Sequence, residues 1–247
     1  MFPIRDHNPS ARTPYVTYAI MAANILVFLS YWSLLSQPVR LQGFLYHWAL
    51  IPAALSQGAM WHGLVTSMFL HTGLLHLGGN MLFLWIFGDN LEDEMGHLPF
   101  LGFYLAGGVA AGLVQFLFAP YSPVPTIGAS GAIAAVMGGY ILMFPRARVD
   151  VLFIFVIFFR IIPLPAWVML GVWFALQAVS GAMATPGTGG VAYMAHVGGF
   201  VAGLVLTLPL WARRGGPAYW RRTHGLPPHP ELIYKRTDIP VVRRRRR

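Results

Sequence analysis

No cysteine occurs in the 247 residues, so disulfide frameworks, thiolate metal sites and cysteine nucleophiles are all excluded. Charge is nearly as scarce. Asp, Glu, Lys and Arg make up 10% of the chain and only eight residues are acidic, against 56% hydrophobic. With a mean hydropathy of +0.59, this excludes an ordinary soluble domain and points to an integral membrane protein whose main partner is the lipid bilayer. The formal charge of +9 would suit nucleic acid, but eleven of the seventeen basic residues lie beyond position 212, in a Pro- and Arg-rich stretch ending Arg243 to Arg247. Such a stretch reads as a solvated, disordered tail near anionic lipid, so no nucleic-acid partner is expected.

What is present in quantity is apolar sequence. Arg5 and Arg12 precede an apolar run from Tyr15 to Leu35 that lacks a small-residue cleavage site, and an uncleaved signal-anchor is expected there. At about 20 apolar residues per crossing, six spans emerge: 15–36, 70–88, 98–118, 129–145, 163–180 and 192–211. The expectation is an all-α polytopic membrane protein of six transmembrane helices over residues 15–211. A short N-terminal segment (1–14) and a basic, disordered tail (212–247) flank it. Arg5, Arg12, Arg146, Arg148, Arg160 and the tail then share one side, which the positive-inside rule makes cytoplasmic, leaving Arg40 alone on the other. Both termini are expected in the cytoplasm and the membrane to be the plasma (inner) membrane of a prokaryote. Residues 37–67, with Tyr46, Trp48 and Trp61, read as a long interfacial loop between helices 1 and 2. Val151 to Ile162, rich in β-branched and aromatic residues, reads as a cytoplasmic-side hairpin or the approach to span five.

Span four opens with Ile127-Gly128-Ala129-Ser130-Gly131-Ala132, after a loop punctuated by Pro120, Pro123 and Pro125. A helix start leaves backbone N–H groups unpaired at the positive end of the dipole, so Ser130 has ready-made anion-stabilising donors beside it. The same small residues also suit plain helix packing. About sixteen residues at about 1.5 Å each cover only about 24 Å of a hydrocarbon core about 30 Å thick, so the start of this span is expected to be recessed, with water reaching Ser130. All eight acidic residues fall on the opposite side or its boundary, which excludes a Ser-His-Asp triad and leaves histidine as base without an acidic partner.

His196 opens span six at the matching depth. Gly199 and Gly203 on that span can press against Gly131, Ala135 and Gly139 on span four and bring His196 to Ser130. A histidine there could equally serve as interhelical glue. His76 and Asn80, four apart on span two, face one way and can both donate hydrogen bonds, as an oxyanion hole with the Ser130 N–H or as a structural pair. A zinc site from His71, His76 and His196 is disfavoured, because the first two lie on different helix faces and the usual glutamate base is missing.

With these motifs in order, the chain resembles the rhomboid intramembrane serine proteases over about residues 13–211. The resemblance rests on Gly128-Ala129-Ser130-Gly131, on Ala195-His196 with Gly199 and Gly203, and on His71, His76 and Asn80; Glu92 resembles the acidic residue that follows span two in that family. It implies Ser130 as nucleophile, His196 as general base, and His76 and Asn80 with the Ser130 N–H as oxyanion donors. It also implies single-span membrane proteins as substrates, cleaved near the outer face with no metal, cofactor or ATP. Two departures stand out: Trp61-His62 where many members carry Trp-Arg, and Ala134 where some carry an aromatic that stacks on the catalytic histidine. An inactive rhomboid-like protein that binds membrane clients is the alternative, against which the intact Ser130 and His196 argue. A transporter fits less well, since the polar residues cluster in one half and no repeat is evident.

Overall fold

The structure, a computed structural model, describes residues 2–8, 10–155, 158–187 and 189–228. The expected disorder of the tail from 229 onward lies outside the described residues. Helices dominate: α1 (Tyr15–Ser30), α2 (Pro38–Trp48), α3 (Pro52–Ser56), α4 (Gly63–Thr66), α5 (Leu74–Met95), α6 (His97–Phe118), α7 (Ser130–Met143), α8 (Ala166–Met183), α9 (Tyr193–Arg213) and α10 (Pro217–Thr223). By length and composition, α6, α8 and α9 can each cross a membrane, and a fourth crossing is available if the bent pair Gly63–Phe69 and Leu74–Met95 counts as one; α1 and α7 are apolar but shorter.

Helix α7 is the hub. Eleven of its fourteen residues are buried, which only small side chains on several faces permit, and α5, α6, α8 and α9 pack around it. The closest approach is to α9. A Cβ at Gly199 would overlap the carbonyl oxygen of Gly131, and one at Gly203 that of Ala135. The stripe anticipated from spacing therefore operates as backbone-on-backbone contact, the geometry that small residues allow in membranes. Gly139 also meets α9, but through the Thr207 side chain, together with Leu91 of α5.

The all-α expectation needs correction at the end of the molecule opposite Ser130. Strands β1 (Phe2–Asp6), β2 (Arg148–Phe155) and β3 (Phe158–Pro165) form an antiparallel sheet in the order β1-β2-β3. The 151–162 stretch is thus the hairpin of the two readings weighed, registered Val151 to Ile162 and Phe153 to Arg160. The N-terminal segment joins it through Asp150, whose carboxylate accepts from Arg5 Nε at 2.7 Å and meets His7 Nε2 at 2.8 Å. The first part of the basic tail is also ordered, against expectation. Pro217 starts α10, Trp220 Nε1 donates to Leu142 O (2.9 Å), and Arg146 N donates to Gly225 O (2.9 Å), which seats this segment on the last turn of α7.

Two helix boundaries moved for local reasons. Helix α1 stops at Ser30 rather than 36: the Ser30 hydroxyl turns back onto Val27 O (2.6 Å), Trp32–Ser36 tightens to a 3₁₀ turn, and Pro38 starts a new helix. Helix α5 starts at Leu74, because Gly73 is extended and the chain turns by 97° between Phe69 and Leu74. It then runs on to Gly96, a left-handed stop at φ +82°. Near that end, Glu92 accepts from Val16 N (2.9 Å), Thr17 N (2.7 Å) and Thr17 Oγ1 (2.7 Å), and so satisfies the free N–H groups that open α1.

Candidate active site

Ser130 is the first residue of α7, and the chain leading into it is held by the 37–67 segment. Leu50 and Thr126 exchange backbone bonds (3.1 and 2.8 Å), Gly128 N donates to Ser67 O (2.9 Å), Ala53 N to Ser122 O (3.0 Å), and Ser56 Oγ to Pro120 O (2.6 Å). The loop before Ser130 thus has protein partners for its backbone groups, which hydrocarbon would not supply. The segment carries short helices that leave Tyr46, Trp48 and Trp61 exposed. His62 Nε2 meets His47 O at 2.7 Å, so the residue standing where many family members carry arginine still ties the segment to itself.

Across from Ser130, the first turn of α9 delivers His196, with Nε2 2.8 Å from Ser130 Oγ. The other ring nitrogen, Nδ1, lies 2.7 Å from Gln177 Oε1 on α8. Trp173, one turn earlier on α8, lays its indole 5.7 Å from the imidazole at 36°, while Ala134 is fully buried and supplies no ring. His76 faces the same space from α5. A Cβ built on Gly128, whose φ is +124°, would stand 2.8 Å from His76 Nε2 and 3.6 Å from Ser130 Oγ, so only glycine lets the imidazole approach the serine. His76 Nδ1 meets Thr72 N at 3.4 Å and Thr72 Oγ1 at 3.2 Å. Because a backbone N–H can only donate, the ring proton belongs on Nε2, toward the serine.

Ser130, His196 and His76 line an open cleft of about 630 Å³, together with Thr72, Gln115, Ser122, Thr126 and apolar residues of both loops. Among the described residues no carboxylate lines it. Asn80, four residues along α5 from His76, is buried and is not among the cleft-lining residues; its Nδ2 has no partner among the described residues. His71 packs behind His76, ring centroids 5.0 Å apart, and also stays out of the cleft. Among the described residues no three His, Asp or Glu side chains are placed to hold a metal ion. Sequence reasoning missed Gln177, Trp173, Thr72 and Gln115, whose Oε1 accepts from Ala195 N (3.2 Å) and fixes the start of α9. The available signal was an amide inside an otherwise apolar span.

Fold and site together define a helical membrane protein with a serine and a histidine, from different helices, in contact within an open cleft. Residues 57–213 match the Rhomboid domain, and the chain belongs to the rhomboid family. It is 30% identical over 196 residues to Rhomboid protein 1, mitochondrial, of Saccharomyces cerevisiae, covering 77% of this chain and 51% of the yeast protein. It is 34% identical over 125 residues to Rhomboid protease GluP of Bacillus subtilis (51% and 24% covered). To RHOMBOID-like protein 12, mitochondrial, of Arabidopsis thaliana it is 27% identical over 214 residues (80% and 58% covered). The chain thus spans between about a quarter and somewhat over half of these relatives' lengths.

Proposed function

We propose that the protein is an intramembrane serine endopeptidase that hydrolyses single-span membrane proteins through a Ser130–His196 dyad. The observation that carries this reading is the 2.8 Å contact between His196 Nε2 and Ser130 Oγ at a helix start that opens into the cleft. In the reaction, Ser130 Oγ attacks the scissile carbonyl as its proton passes to His196 Nε2. The resulting oxyanion accepts from the Ser130 N–H and from His76 Nε2–H, with Asn80 Nδ2 as a third donor. His196 then returns the proton to the leaving amine, and water hydrolyses the acyl-enzyme by the same steps in reverse order. The bound Asn80 donor requires the substrate to reach past the cleft wall, since Asn80 does not line the empty cleft.

The membrane arrangement that goes with this reading has six crossings over residues 15–211, the short α1 and α7 included. Both termini lie on the cytoplasmic side of a prokaryotic plasma membrane, and the 37–67 segment rests at the outer interface. The clustering of Arg5, Arg146, Arg148 and Arg214 at the end opposite Ser130 supports that orientation. The relation to GluP, named a rhomboid protease, supports the activity.

A fluorophosphonate probe tests the mechanism: the Ser130 O–P bond forms, the P–F bond breaks, and His196 Nε2 takes the serine proton as fluoride leaves. Wild type is expected to label, and Ser130→Ala and His196→Ala to stay dark. Equal labelling of Ser130→Ala would overturn the dyad, and a wild type that stays dark would favour a client-binding protein without activity.

A further inference from the structure

We propose that Gln177 is a positioning residue for His196: its side-chain oxygen holds the proton on Nδ1 and thereby leaves the Nε2 lone pair facing Ser130 Oγ. The proposal rests on the serine–histidine reading above, but it concerns the state of the imidazole before any substrate arrives.

A neutral imidazole has one N–H and one lone pair, and the two must be assigned to two nitrogens that are both engaged here. Nε2 lies 2.8 Å from a hydroxyl, which donates or accepts with equal ease, so Ser130 cannot choose the tautomer. The oxygen at 2.7 Å from Nδ1 only accepts, and it does choose. With the proton fixed on Nδ1, Nε2 can receive the serine proton. With the opposite tautomer, Nε2–H would point at Ser130 Oγ and the serine would stay protonated. Serine hydrolases with a triad give this task to a carboxylate. That solution is closed here, because among the described residues no Asp or Glu lines the cleft. A neutral amide in the span does the same orienting work without burying a charge in the membrane, which would cost several kcal/mol.

The second half of the argument is geometric. Trp173 and Gln177 are four residues apart on α8, so they share one helix face, and both meet His196: the indole as a tilted shelf, the amide as an acceptor. Helix α8 therefore fixes ring plane and proton together. It does so where α7 cannot, since Ala134 offers no ring to lean on.

The test uses the full-length protein in detergent, with Gln177→Met removing the acceptor at similar length and Gln177→Glu keeping one. Two readouts are taken: the second-order rate of fluorophosphonate labelling at Ser130, and the ¹⁵N spectrum of histidine-labelled protein, with the His196 signals assigned by their loss in His196→Ala. Wild type is expected to show His196 protonated on Nδ1. Gln177→Met should show a mixed or reversed tautomer and label about tenfold more slowly, the order of one neutral hydrogen bond, with an unchanged melting temperature. Gln177→Glu should restore both the tautomer and most of the rate. A Gln177→Met protein with wild-type spectrum and rate overturns the proposal. So does a slower rate that merely tracks lost folded protein and is not rescued by Gln177→Glu. If wild type fails to label at all, the protease reading falls, while the spectra still decide whether Gln177 sets the tautomer.

Discussion

The two ends of helix α7 are built from different chemistry. At the Ser130 end every polar partner is neutral: Gln177, Thr72, Gln115 and backbone groups. At the Tyr140 end the acidic residues gather. Tyr140 OH donates to Asp6 Oδ2 (3.0 Å), Asn90 Nδ2 donates to the same oxygen (2.9 Å), Asp150 takes Arg5 and His7, and Arg214 Nη2 lies 2.8 Å from Glu94 Oε2. The charged end ties chain segments distant in sequence to one another, although Asn90 Oδ1, Trp211 Nε1 and Tyr219 OH there have no hydrogen-bond partner among the described residues. At the neutral end the unmatched donor is Asn80 Nδ2, which likewise has none among the described residues. An unmatched buried donor is a liability to stability, so the contrast lies in charge: ion pairs and carboxylates hold one end of the helix together, and neutral groups surround Ser130 at the other.

Breaking the charged end should therefore cost folding and spare chemistry. Glu92 is 1% exposed, accepts three bonds from the start of α1 and meets His97 Nδ1 at 2.5 Å. Replacing it by alanine strands those donors, for a loss of about 3–4 kcal/mol. Thermal melts in detergent are expected to fall steeply for Glu92→Ala, with fluorophosphonate labelling per folded molecule intact. A labelling defect in the folded fraction would erase the division.

The converse variant is Asn80→Ala. Removing an oxyanion donor costs about 10²–10³ in kcat, and with His76 and the Ser130 N–H still present the loss is expected at or below the lower limit, about 2–3 kcal/mol of transition-state stabilisation. Since Nδ2 is unpartnered, the melting temperature should barely move, and the fall should appear in kcat with KM little altered. A large melting shift with kcat preserved would make Asn80 structural and sink its catalytic role.

The smallest effect is a pH slope. Burial, and then the neighbouring Asp89, push the Asp6 carboxyl up to about 8 from 3.8. A carboxyl that keeps its proton longer in the folded state contributes stability that is complete below about pH 4 and is lost as pH rises through about 8. Asp150 carries the opposite sign: burial raises it, but the bonds from His7 and Arg5 outweigh burial and hold it below its usual value, so its contribution is lost on acidification. Asp6→Asn should flatten the fall of stability between about pH 4 and 8, and an unchanged slope would remove Asp6 as its source.

Much of the site was legible because depth in a membrane is a one-dimensional quantity. Once spans were counted, Ser130 and His196 had to share a level, and the Gly199 and Gly203 spacing supplied the closeness. Partners that depend on rotation about a helix axis were not legible in the same way. Gln177 has no periodic signal in the sequence, and only the packing of α8 turns it toward His196. The β1–β2 pairing and the seat of α10 join residues more than seventy positions apart, and no local pattern announces such contacts. Helix ends differ from expectation where one residue's local conformation decides them, as with the Ser30 hydroxyl and the extended backbone of Gly73.

The enclosure of α7 also sets how the protein responds to its solvent. A fourteen-residue helix, about 21 Å long, is shorter than an ordinary bilayer core and would thin the bilayer if lipid touched it. Helices α5, α6, α8 and α9 enclose it instead, and α6, α8 and α9 are long enough to cross a membrane. The position of Ser130 is consequently set by the surrounding helices and by the 37–67 segment that holds the loop before it.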